Sequence, residues 1–80
     1  MVLNDFVSLS IPEQWDELWE YGIRITAVDT QQGKFSLYAL HGFYVDVLSD
    51  EVTNKVLENY AFIDDDRIEK YIIDIEVSID

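Results

Sequence analysis

The run Phe35-Ser36-Leu37-Tyr38-Ala39-Leu40-His41-Gly42-Phe43-Tyr44-Val45-Asp46-Val47-Leu48 decides the fold. In its first half, Phe35, Leu37 and Ala39 fall on one side. In its second half, Phe43, Val45 and Val47 oppose Tyr44, Asp46 and Leu48. A period of two is the signature of a strand. His41-Gly42 breaks the pattern, and a two-residue break ending in glycine suits a tight hairpin, whose turn residues need positive φ. The reading is two antiparallel strands, at 34–40 and 43–48.

Working toward the N-terminus, Asp29-Thr30-Gln31-Gln32-Gly33 is polar, ends in glycine and reads as a turn. Before it, Ile23, Ile25 and Ala27 alternate with Arg24, Thr26 and Val28, which predicts a strand at 23–29. Earlier still the period changes. Ile11, Trp15, Leu18 and Trp19 recur at i, i+4, i+7 and i+8, the stripe of an amphipathic helix at 12–21. Ser10 with Glu13 three residues on is a capping-box pattern, Pro12 suits the first turn, and Gly22 is a natural stop. A residue before proline avoids helical angles, so the boundary is either Ser10 or Ile11. The first nine residues read as an edge strand through Phe6 and Leu9.

Toward the C-terminus, residues 49–55 admit two readings. A helix capped by Ser49 could run to Tyr60, or a hairpin turn could lead into a strand at 56–63. Thr53-Asn54-Lys55 is weak helix material, whereas Val56, Leu57, Tyr60, Phe62 and Ile63 suit a pleated surface, which favours the strand. Asp64, Asp65 and Asp66 then open a short helix at 65–72, with Ile68, Tyr71, Ile72 and Ile75 as its stripe. The stretch 74–79 alternates and suggests one more short strand. The expectation is a single α+β domain over 1–80. It comprises an antiparallel meander of about four strands, an N-terminal helix and a short C-terminal helix, with both helices on one sheet face. The expected core is Trp15, Leu18, Trp19, Phe35, Leu37, Val45, Val47, Phe62, Ile68 and Ile72.

The central stretch also resembles a pattern in small uncharacterised bacterial proteins, where an LY-x-L segment precedes F-[YF]-V-E-V. Ala61-Phe62 and Tyr71-Ile72 match later features of that pattern, and Asp46 stands where Glu is usual. The resemblance covers roughly the last 45 residues. It implies the hairpin arrangement and no particular activity.

Eighty residues limit the chain to one domain, yet 49% are hydrophobic and 14% aromatic, too apolar for a disordered tail. Seventeen acids against five bases give a formal net charge of −12. Such a chain repels nucleic acid and anionic membranes and attracts basic surfaces. The absence of cysteine rules out disulfides, thiolate metal sites and a cysteine nucleophile. It favours a reducing compartment, and no stretch reads as a signal peptide or as the ~18 apolar residues of a membrane span. The expected location is cytoplasmic.

Chemistry-bearing candidates are few. His41 is the sole histidine, and nothing nearby in sequence supplies a catalytic partner. Asp64, Asp65 and Asp66, like Asp46, Asp50 and Glu51, lack the ligand spacing of a calcium loop. No phosphate loop, nucleophile elbow or His/Cys cluster occurs. The expectation is therefore no enzyme, no cofactor and no metal, but a small acidic protein-interaction module. Two sets of residues are candidates for partner binding. One is the carboxylate face of the helix, Glu13, Asp16, Glu17 and Glu20. The other is a tyrosine face of the sheet, with Tyr38 and Tyr44 side by side and Tyr60 beyond. The partner is another protein or a second copy in a homodimer. The alternative is an acidic inhibitor, or nucleic-acid mimic, that occupies a basic site on its partner.

Overall fold

The computed structural model describes residues 1–64 and 66–71. Helix α1 (Leu3–Val7) and helix α2 (Ile11–Tyr21) precede strands β1 (Ile23–Thr30), β2 (Gly33–Leu40), β3 (Phe43–Ser49) and β4 (Val56–Phe62). A 3-10 turn follows at Asp66–Ile68, and the chain stays helical to Tyr71. The strands form one antiparallel sheet in the order β1-β2-β3-β4, the expected α+β meander. The suggested strand at 74–79, and Asp65 and Ile72 of the predicted second helix, lie outside the described residues.

Local chemistry explains most of these boundaries. Ser10 and Glu13 cap α2 reciprocally, with Glu13 N–H donating to Ser10 Oγ and Ser10 N–H to Glu13 Oε1. At the other end, a Cβ on Gly22 would come within 2.5 Å of the Leu18 carbonyl oxygen, so only glycine fits that exit. His41 (φ 50°) and Gly42 (φ 93°) are both left-handed, the geometry of a type I′ hairpin turn. The stretch after β3 contains one helical turn and no more. Asp50 Oδ1 accepts from the Val52 and Thr53 N–H groups, and Asn54 N–H donates to Asp50 C=O. Asn54 then turns left-handed (φ 62°), which ends the helical course and returns the chain as β4.

The first residues correct the sequence reading: they form α1, not an edge strand. Asp5 accepts a hydrogen bond from Val2 N–H at the helix start, and Ser8 N–H closes its end on Asn4 C=O. Buried Gln14 then ties α1 to α2. Its Nε2 donates to the Phe6 and Leu9 carbonyls, both at 3.3 Å, which satisfies backbone left over where α1 stops.

Paired residues of neighbouring strands share a face, so the register sorts the core. One face carries Leu40, Phe43, Val45 and Val47, packed with Phe6 and Leu18 from α1 and α2. The other carries Phe35, Leu37 and Phe62, packed with Tyr71 and partly buried Ile68 from the C-terminal turn. The helices thus lie on opposite faces rather than on one. The reason is that both faces of β2 and β3 are apolar and each needs a cover. Phe6, Leu40, Phe43 and Tyr71 join the core beyond expectation, while Trp15 and Ile68 are only partly buried.

Trp19 is 50% exposed and is no core residue. One residue turns a helix by about 100°, so with Leu18 pointing straight at the sheet Trp19 falls on the flank. A bulge also shifts β1. The register passes from Arg24↔Tyr38 to Thr26↔Leu37, leaving Ile25 as the extra residue, so that Val28 rather than Ala27 shares the Phe35 face.

Candidate interaction surface

The sheet separates the two tyrosines that sequence reading placed side by side. Tyr38 pairs with Val45 and Tyr44 with Ala39, which puts them on opposite faces. The cause is the two-residue turn itself. It pairs Leu40 with Phe43, so even positions of β2 share a face with odd positions of β3. Tyr38 packs against the α1/α2 core and Tyr44 against the Phe35 core, each partly buried. Tyr60 lies on the Tyr44 face at the outer strand, with the Arg67 guanidinium 3.8 Å above its ring. Tyr38 and Tyr44 therefore form no common surface.

The carboxylates of α2 also divide. Glu13 is spent on the cap, and its hydrogen bonds from Ser10 hold its carboxyl below the ordinary range. Glu17 accepts from His41 Nε2–H at 2.6 Å, joining α2 to the β2–β3 turn. Exposed Asp16 and Glu20 make no hydrogen bond or ion pair among the described residues. His41 also lies against the Tyr21 and Phe43 rings.

What the fold does bring together is an aromatic ladder along the flank of α2. Trp15 and Trp19 are one helical turn apart and stack with centroids 5.5 Å apart, and Trp19 meets Tyr38 edge-on at 5.7 Å. Asp16 and Glu20, the residues next after Trp15 and Trp19, are exposed on the same helix. Past Trp15 the ladder runs into a groove of about 280 Å³ between the start of α2 and the outer strand β4, lined by Ile11, Trp15, Leu57, Glu58 and Asn59. Ile11 is 62% and Leu57 52% exposed, so large apolar side chains stand open to solvent there. The signal for this surface was in the sequence, in two tryptophans on the helix rather than in the tyrosines of the strands.

On the opposite face lies a polar cluster that sequence reading missed. Asp46, inward-facing and 2% exposed, accepts hydrogen bonds from the Tyr71 hydroxyl and from Lys70 Nζ at 2.9 Å. Arg67 Nη1 lies 3.6 Å from the same carboxylate. Lys70 also sits over the Phe35 ring at 4.5 Å. Burial first, and then the Asp46 carboxylate, push the Tyr71 hydroxyl far above the usual phenol range. Both oxygens of Asp46 are occupied and its side chain is closed to solvent, so the cluster pins the C-terminal turn rather than presenting a reactive group. An apolar-flanked Asp46 with Arg67 and Lys70 spaced three apart downstream was the available clue.

Among the described residues no group of three or more His, Asp or Glu side chains is arranged to hold a metal ion. Nor is any described helix long and apolar enough to cross a membrane. Compared with known protein families, curated proteins and solved structures, the chain matches none.

Proposed function

We propose that this chain is a small acidic protein-interaction module that docks a basic partner protein on the flank of α2. One observation carries the reading: the Trp15–Trp19 stack, with Trp19 half exposed, on a helix that also presents exposed Asp16 and Glu20. An indole face attracts a Lys or Arg head group, best when a carboxylate stands close to share the charge. Aromatic side chains at a polar rim are also what protein interfaces favour. The net charge of −12 selects a basic partner over an acidic one and speeds its approach. The mimic alternative has less to rest on, because Glu13 and Glu17 are engaged within the fold and leave only part of the carboxylate face free.

The two tryptophans are the only ones in the chain, so intrinsic fluorescence reads this surface directly. Titration with an oligo-arginine peptide should change the emission at low salt and reverse as sodium chloride is added. A double variant, Asp16→Asn with Glu20→Gln, should weaken the binding. An unchanged spectrum at every peptide concentration contradicts the proposal, as does undiminished binding to the double variant.

A further inference from the structure

Resting on that docking reading, we infer that the partner engages as an added β-strand. An extended segment alternating aliphatic and basic side chains pairs with the edge of β4, which no described strand occupies, and places an aliphatic side chain in the groove against Ile11, Trp15 and Leu57.

The two edges of the sheet are not equivalent. Each edge strand has one bulge, but β1 carries Arg24, which discourages a basic strand especially. The bulge of β4 is at Leu57, where the register passes from Leu48↔Glu58 to Ser49↔Val56, but β4 pairs with β3 without interruption from Glu58 to Phe62 and holds no lysine, arginine or proline. Over that stretch its outward N–H and C=O groups form a regular template. A strand laid along it sends alternate side chains to the two faces. On the α2 face they meet the groove lined by Leu57 and Asn59. On the other face they meet exposed Glu58, whose cross-strand neighbour should be cationic. Alternating aliphatic and basic residues satisfy both. A second copy fits poorly, because pairing β4 with β4 sets two chains of net charge −12 against each other and brings Glu58 toward its own kind.

The experiment uses the full chain and two synthetic peptides of equal valine and lysine content, one alternating and one with the residues in separate blocks. The alternating peptide should shift the tryptophan emission and slow amide hydrogen exchange at alternate residues of β4. Methylating its backbone nitrogens should abolish that protection. Leu57→Lys, at a half-exposed position, should weaken its binding about tenfold or more while the circular dichroism spectrum is unchanged. Equal binding of both peptides with no protection of β4 overturns strand addition and leaves the docking proposal standing. Binding of neither overturns both. Protection of β4 that rises with protein concentration alone means that a second copy takes the edge, and this also overturns the inference.

Discussion

Replacing Tyr71 by Phe removes one oxygen and keeps the ring that fills the Phe35 core. The lost interaction is the hydroxyl donated to Asp46, a carboxylate that is itself 2% exposed. A hydrogen bond to a charged group is worth ~1.5–3 kcal/mol. Asp46 keeps Lys70 and Arg67, so the carboxylate is not stranded and the cost stays in that range. A domain of this length has roughly 4–12 kcal/mol in all, so the loss is a large share. It should lower Tm by roughly 6–24 °C, at ~4–8 °C per kcal/mol for a small domain. Asp46→Ala should cost more, about 3–5 kcal/mol, because it leaves the Tyr71 hydroxyl buried without its acceptor and removes the ion-pair partner of partly buried Lys70. Urea denaturation of the three proteins, with slopes compared, gives the numbers. A Tyr71→Phe protein as stable as the parent would refute the claim that this bond holds the C-terminal turn to the sheet.

The same residue sets an alkaline limit. An unfolded tyrosine ionises near pH ~10, whereas folded Tyr71 keeps its proton well beyond that. Unfolding therefore releases a proton above pH ~10, and stability should fall as pH rises through that point, less steeply in Tyr71→Phe. Leu18→Ala, at a fully buried site, should cost ~2–5 kcal/mol by urea denaturation, and Trp19→Ala distinctly less, since half its surface already faces water. Reversal of that order would misplace the face of α2. His41→Asn should leave Tm nearly unchanged, because Asn-Gly is the preferred type I′ pair and offsets the lost contact with Glu17. Moderate sodium chloride should raise Tm by screening repulsion among seventeen acids, as differential scanning calorimetry would record.

The elements that local chemistry defines were readable in advance. α2 carries its stop signal in Gly22 and both halves of its capping box, and the β2–β3 hairpin carries His41-Gly42. α1 was not readable, since five residues hold too little periodicity to separate a helix from a strand. The Tyr38–Tyr44 pairing failed on parity, which the two-residue turn had already determined. Trp19 failed on helical phase. The Asp46 cluster was hidden because it joins positions 24 and 25 residues apart, and no local pattern reports such a contact. Of the candidate site, Asp16 and Glu20 stand exposed on α2. Glu13 and Glu17 turn out to serve the fold as well.

The central claim is that a basic partner meets the tryptophan flank of α2. The most direct measurement is a ¹H–¹⁵N correlation spectrum recorded as a basic peptide is added at low salt. The two indole N–H signals, the only ones the chain has, should shift together with the backbone of Asp16 and Glu20, and return as salt is raised. Shifts confined to the Tyr44 and Tyr71 face, with both indole signals unmoved, would contradict it.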